Sequence, residues 1–434
     1  MALIDDPLTE TTDAGVIKGA QDLYHLGVAR EAAGDRDGAL VAFRKAAASG
    51  DNLLFQAHAC AALAGKLLER NDLNESLAFS WRAVNNAPDE ISLIHFHALV
   101  LRLCGHTDEA ILFNKALIEA ESAANQHLWT VIALMLVGKG RYLEALDIVR
   151  AHTSKYQPAS LEYKTMLELS DICLAAHGHP AAPITSAFNC PSTAQLSAQW
   201  QALYQENPAF RRRAPIICVG DSHAAFFSGA HSFQFLWPEP APQLLPHVSG
   251  HYIASALAYS LNRRGTSAQG LEKLENFLRS KSLLTGSTVM LSFGEIDLRN
   301  HVIAQSRQQG RSVDQVVEDC VSAYRQAVEL VVSGGHRAMI WAPPASRADD
   351  GPYQHMFPTA GTEVERNAAT HSFILALRAT MVPLGVPVIS IFDEMVGTDL
   401  RSDARYFMDG CHLNMAATPL AITAMRRGLE AMEA

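Results

Sequence analysis

Four segments of this chain share one pattern at nearly equal intervals: Gly34-Asp35-Arg36-Asp37-Gly38-Ala39-Leu40, Asn71-Asp72-Leu73-Asn74-Glu75-Ser76-Leu77, Gly105-His106-Thr107-Asp108-Glu109-Ala110-Ile111 and Gly140-Arg141-Tyr142-Leu143-Glu144-Ala145-Leu146. Their first residues are 37, 34 and 35 positions apart. Each opens with Gly or Asn, carries a small residue five positions later and an aliphatic residue next. Each sits between two apolar-periodic stretches, as in 23–33 and 40–48. The pattern predicts helix, tight turn, helix. Gly or Asn ends the first helix because it takes a left-handed cap cheaply. The small residue lets the second helix pack closely on the first.

The period near 34 and these turns resemble the tetratricopeptide repeat over about residues 17–155. Leu26-Gly27 is close to that family's helix-A pattern, and Pro88 falls just after the second unit's helix B. The resemblance implies a stacked all-α solenoid whose concave face binds a protein partner. With one further helix at 161–176, this domain is expected over 17–185. Residues 157–213, with His179-Pro180-Ala181-Ala182-Pro183, read as the junction where the repeats stop.

With 434 residues, the chain is long enough for two or three domains. Its 35 Lys and Arg against 45 Asp and Glu give a net charge of −10. That balance argues against general affinity for nucleic acid or anionic membranes, which need clustered cations. The single short basic run, Arg211 to Arg213, reads as a linker or strand entry. Met1-Ala2-Leu3-Ile4-Asp5-Asp6 is acidic and lacks an apolar core of signal-peptide length. No stretch reaches the roughly 18 apolar residues of a membrane span. Cys60, Cys104, Cys173, Cys190, Cys218, Cys320 and Cys411 are odd in number, and none forms a C-x-x-C pair. Reduced thiols in a cytoplasmic protein are the expectation.

The pattern changes at Pro215. Short, apolar, β-branched runs at 216–219, 289–292, 338–342 and 388–391 read as buried parallel strands. Between them Val313, Val316, Val317, Cys320, Val321, Tyr324, Val328 and Val331 recur at helical spacing, and Gly334-Gly335 stops that helix. Residues 371–384 and 418–431 predict two more helices. Strands alternating with helices predict a doubly wound, flavodoxin-like α/β sheet over 214–434, with its site at the carboxyl ends of the strands.

Two motifs carry chemistry. Cys218-Val219-Gly220-Asp221-Ser222-His223 follows the first strand and is expected to open a helix, so the Ser222 hydroxyl faces the crevice and the free N–H groups of the helix N-terminus stand behind it. Gly-Asp-Ser alone is also what an N-cap serine looks like. Asp409-Gly410-Cys411-His412, just before the last helix, supplies what a serine hydroxyl needs: a base, and a carboxylate to orient it.

Together these blocks resemble the SGNH/GDSL hydrolase superfamily across about 214–434. The resemblance implies a serine-dependent acyl-ester hydrolase or O-acyltransferase that needs no cofactor. Ser222 is then the nucleophile, and Asp409 and His412 complete the triad. Pro387-Val388-Ile389-Ser390-Ile391-Phe392-Asp393 looks like the family's last strand. Gly250, in His247-Val248-Ser249-Gly250-His251, matches the glycine whose N–H helps bind the oxyanion. The Gly-Asp-Ser-His-Ala form is similar to SGNH domains attached to acyltransferases that modify bacterial glycans, so the implied substrate is a small acyl ester or an O-acylated glycan.

The third block departs from the family. The pattern Gly-x-Asn-Asp there supplies an oxyanion-binding side chain, whereas Phe293-Gly294-Glu295-Ile296-Asp297-Leu298-Arg299-Asn300-His301 places Ile296 at the Asn position. Loss of one such donor typically costs about 100- to 1,000-fold in rate. Arg299 or Asn300 is the natural replacement, and an ionised Glu295 would orient Arg299 or a substrate hydroxyl. Two other readings use the same residues. A domain without turnover would bind a ligand on a repeat scaffold. A metallophosphoesterase would draw on Asp221, His223, Glu295, Asp297, His301, Asp409 and His412, but no Gly-Asn-His-[Asp/Glu] segment follows. A nucleophile elbow is disfavoured because the motif is only Gly-x-Ser-x-Ala. Trp341-Ala342-Pro343-Pro344-Ala345-Ser346 is expected to rim the crevice, stiffened by its prolines.

Overall fold

The computed structural model describes residues 19–70, 72–120, 124–176, 216–228, 237, 248–279, 283–347, 359–407 and 410–432. The acidic N-terminus, Asn71, the junction from 177 to 215, Cys190 and Asp409 lie outside them. Two compact units divide the chain: 1–68 with 72–113, and 69–71 with 114–434.

The first unit is helical: α1 Ala20–Ala32, α2 Arg36–Ala48, α3 Leu53–Glu69, α4 Leu73–Asn86 and α5 Ile91–Leu103. Helix α6, Thr107–Ala120, spans the division. Gly34 and Gly105 close α1 and α5 with φ of 80° and 84°. This is the left-handed geometry for which glycine pays no Cβ penalty. The small residues expected at the close helix contacts are buried: Ala39 at 1% exposure and Ser76 at 0%. The Ser76 hydroxyl donates to Ala64 O on α3 at 2.8 Å. A core of Phe43, Cys60, Leu63, Ala83 and Leu93 joins α2 to α5.

In the second unit α7 Leu128–Gly138, α8 Tyr142–His152 and α9 Leu161–Ala176 precede the α/β part. Its strands are β1 Ile216–Gly220, β2 Val248–Tyr252, β3 Thr288–Ser292, β4 Arg337–Trp341 and β5 Val388–Ile389. They form a parallel sheet in the order β2-β1-β3-β4-β5. The helices are α10 Gly270–Leu278, α11 Val302–Gln309, α12 Val313–Ser333, α13 Glu363–Met381, α14 Phe392–Met395 and α15 Thr418–Ala431. Helix α13 starts eight residues before the expected 371, because Thr362 and Glu365 form a capping box at its N-terminus. The apolar periodicity is interrupted there by buried polar residues, so the first two turns do not look helical in sequence.

Strand alternation separates two cores. Cys218, Met290, Met339 and Trp341 pack with α15 on one face. Val219, Val289, Leu291 and Ile340 pack with α12 and α13 on the other. Sheets buried on both faces give the continuous apolar runs seen in the sequence. Strand β2 was not among the expected strands; Ser249, Gly250 and His251 hide its pattern, and it is an edge strand paired only with β1. The loop 341–346 is not a rim: every residue in it is buried. The six described cysteines are free thiols. Among the described residues no helix is long and apolar enough to cross a membrane.

Gly220 is the last residue of β1 and lies against the backbone of β3. A Cβ there would stand 2.0 Å from Ser292 O. Gly220→Ala is therefore expected to destabilise the unit by about 1–3 kcal/mol through overpacking against backbone. Urea unfolding of the two proteins measures this.

Candidate active site

The strand order reverses between β1 and β3: the chain leaves β1 toward β2, then crosses to β3 on the other side. Crevices at such switch points, at the carboxyl ends of the strands, are where open α/β sheets bind ligands. Ser222 follows β1, and Gly294 to His301 follow β3, so both sequence-predicted blocks open on this crevice.

Ser222 begins a short 3-10 turn, Ser222–Ser228. Asp221 holds that turn: its N–H donates to Ser292 O at 3.0 Å, and its Oδ1 accepts from His223 N–H at 3.0 Å. His412 arrives from the far end of the chain. It sits in the stretch joined by the Phe407–Leu413 bridge, where Asn414 Nδ2 donates to Phe407 O and Arg405 O. Its Nε2 lies 2.8 Å from Ser222 Oγ, across 190 residues of sequence. Cys411 Sγ lies 3.5 Å from His412 Nδ1. Asp409, the expected orienting carboxylate, is outside the described residues.

Beyond β3, Gly294 takes φ 111°, where a Cβ would press on Phe373 and Pro343 at 3.1 Å. A π-helical turn, Asp297–His301, follows. Such turns are rare and recur at functional sites. Here Arg299 stands over Glu295, donating from Nε at 2.6 Å and Nη2 at 3.3 Å. The other oxygen-facing neighbour of Glu295 is His223, with Nε2 3.7 Å from Oε2. The His223 ring in turn stacks on His412, with centroids 5.2 Å apart and planes 28° apart. Glu295, Arg299 and His223 thus form one chain of contacts to His412, a connection that His223's position beside Ser222 did not disclose. Ile296 is an apolar, buried side chain. Asn300 Oδ1 is buried without a hydrogen-bond partner.

Gly250 lies inside β2, level with Cys218. Tyr252 is the β2 residue level with Gly220, and Ile253 N–H donates to Gly220 O at 2.9 Å. Ala254 comes two residues after the end of that pairing on the β2 side, as Ser222 does on the β1 side. Ala254 holds φ 74°, a strained conformation for a residue with a Cβ and one that gathers at functional sites. No sequence signal marks it, since a search for that turn looks for glycine.

Asp297 serves structure. Its carboxylate accepts from Ala258 N–H at 2.8 Å and Tyr259 N–H at 3.1 Å, tying the end of β3 to the chain after β2. With those oxygens occupied, and Glu295 held by Arg299, the acids expected of a two-metal centre have other partners. Among the described residues no three His, Cys, Asp or Glu side chains converge to hold a metal ion. A cavity of about 300 Å³ lies elsewhere, along β5 between Arg378 and Arg427, and shares none of these residues.

Burial dominates the electrostatics and splits the acids. Desolvation raises Asp221 to about 6 and Asp297 to about 7. It also disfavours the Glu295 anion, but His223 and Arg299 outweigh it and bring Glu295 to about 2.

No family model and no curated protein matches the sequence. Some solved structures are similar to about half of the chain. One is a candidate acylhydrolase from Bacteroides fragilis, with 15% identity over 53% of this chain and 95% of that one, and a TM-score of 0.32. Another is a GDSL-like lipase from Bacteroides thetaiotaomicron, with 12% identity over 54% and 98%, and a TM-score of 0.32. Likenesses this distant carry no argument about activity, which rests on the geometry of the site.

An acid raised above its unfolded value of 3.8 favours the folded state most when protonated, and that stability is lost as pH rises through about 6. Glu295 has the opposite sign, with stability lost only as pH falls toward about 2. Asp221→Asn keeps the bond to His223 N–H and removes the titration. Urea unfolding between pH 4 and pH 7 is expected to show a shallower decline in stability for this variant than for the unmodified protein.

Proposed function

We propose that the α/β part of this chain is a serine-dependent acyl-ester hydrolase or O-acyltransferase of SGNH/GDSL type. The observation that carries the reading is the 2.8 Å contact between His412 Nε2 and Ser222 Oγ at the topological switch point. A serine hydroxyl is a weak nucleophile until a base in hydrogen-bond reach takes its proton.

In the proposed mechanism Ser222 Oγ attacks the ester carbonyl carbon while its proton passes to His412 Nε2. Asp409 orients His412. The carbonyl oxygen becomes the oxyanion, bound by the Ser222 N–H and by a backbone donor on the β2 side, which is Gly250 by resemblance and Ala254 by its place just after the end of β2. The tetrahedral intermediate collapses, His412 returns the proton to the leaving alcohol, and an acyl-serine remains. Water then releases the acid, or a glycan hydroxyl takes the acyl group. Arg299 is the replacement for the donor that Ile296 lacks. It is 13% exposed at its side chain, its Nε and Nη2 edge is fixed by Glu295, and it stands three contacts from the base, through Glu295 and His223. Asn300 binds substrate beside it. The N-terminal helices act as a tetratricopeptide-like solenoid that recruits a protein partner or presents substrate, in a cytoplasmic protein.

The test is hydrolysis of p-nitrophenyl acetate together with labelling by a fluorophosphonate probe. Ser222→Ala is expected to abolish labelling and turnover with stability nearly unchanged; activity retained by that variant rules out the assignment. Arg299→Met is expected to lower kcat by about 100-fold, as loss of an oxyanion donor does, with KM little altered. A rise in KM alone would place Arg299 in ground-state binding instead.

A further inference from the structure

Helix α13 begins with a polar face turned inward. Glu363, Arg366, Asn367 and Thr370 recur at helical spacing, and Arg366 and Asn367 are fully buried at 0% exposure. Burying a guanidinium is costly unless its donors are satisfied. Arg366 meets that cost with oxygens of one loop: Nε donates to Ser346 Oγ at 2.8 Å, Nη2 to Arg347 O at 2.7 Å and Nη1 to Gly361 O at 2.8 Å. Asn367 works on two segments. Its Oδ1 accepts from Ser346 N–H at 2.7 Å, while Nδ2 donates to Leu400 O at 2.8 Å and Ser402 Oγ at 3.0 Å. Ser402 closes the ring, donating from Oγ to Ser346 O at 2.7 Å and from N–H to Glu363 Oε1 at 2.8 Å.

The two gripped segments both lead to the base. Arg347 N–H reaches Gly410 O at 3.4 Å, two residues before His412. Leu400 and Ser402 open the stretch that runs into the Phe407–Leu413 bridge flanking His412. Leu400 holds φ 58°, a left-handed conformation that a leucine adopts only when its surroundings impose it. The Asn367 bond to its carbonyl is such an imposition. The bonds of this clamp end on Ser346, Arg347, Gly361, Leu400, Ser402 and Glu363.

We infer that Arg366, Asn367, Ser346 and Ser402 are positioning residues that hold His412 on Ser222 by fixing the backbone at Leu400 and Ser402 and, through Arg347, at Gly410. The inference rests on the serine-hydrolase reading above. Its mechanism is geometric: displacing a base by about 1 Å can cost on the order of 100-fold in rate.

The experiment compares full-length Asn367→Ala, Ser402→Ala and Ser402→Thr with Arg307→Ala, which removes an exposed ion pair to Glu365. Ser402→Ala is the milder change and covers the case in which Asn367→Ala does not fold. The readouts are the rate of Ser222 labelling by a fluorophosphonate, kcat and KM for p-nitrophenyl acetate, and near-UV circular dichroism, all well below the unfolding temperature. Ser402→Ala and folded Asn367→Ala are expected to label about 10- to 100-fold more slowly, with kcat reduced in parallel and KM unchanged. Ser402→Thr, which keeps the hydroxyl, is expected to restore the rate, and Arg307→Ala to match the unmodified protein. Labelling at the unmodified rate in folded Ser402→Ala overturns the inference and leaves the hydrolase reading standing. No labelling of the unmodified protein itself overturns the hydrolase reading, and this inference with it.

Discussion

Strand β1 is hydrogen-bonded on both sides, to β2 and to β3, and the rest of the site follows from that constraint. A central parallel strand cannot turn back within the sheet, so the chain must leave its carboxyl end into the crevice between the diverging connections. Gly220 lets it leave by lying against Ser292 O, and Asp221 N–H then uses that same oxygen. The position of Ser222 is thus set by backbone pairing before any side chain of the site is considered. The same pairing brings the end of β3, with Glu295 and Arg299, alongside.

Around that fixed point the protein buries several charges and gives each a partner. Glu295 is held by Arg299 and faces His223; Asp297 takes two backbone N–H groups; Arg366 is satisfied by a hydroxyl and two carbonyls. Asp221 keeps one oxygen unpartnered, and burial raises it accordingly. Buried and satisfied polar groups define one arrangement more sharply than apolar contacts do, because a displaced donor has no water to turn to.

Much of this was legible in the chain. The spaced Gly and small residues located the helix turns, and apolar runs bounded by helical periodicity located β1, β3, β4 and β5. Gly-Asp-Ser and Asp-x-x-His named the pair that meets at 2.8 Å. What was not legible has physical causes. Strand β2 has a mixed pattern because it is an edge. The first turns of α13 hide because their inward face is polar. Ala254 and Leu400 adopt left-handed backbone that no residue type announces. The loop at 341–346 reads as a rim by its prolines, yet the bonds of Arg366 and Asn367 bury it.

The sequence by itself determined most of the elements and named Ser222 and His412, since hydrophobic period, turn chemistry and motif identity are local properties of the chain. Tertiary structure alone decided which groups meet. His412 lies 190 residues from Ser222, and only the winding of the sheet closes that distance. Glu295 could have faced solvent, a metal or a substrate; the π-helical turn that sets Arg299 over it is a backbone choice made by packing. The contact network around His412 is likewise non-local, because it joins side chains from the ends of β1, β3 and β4, the start of α13 and the stretch before α15.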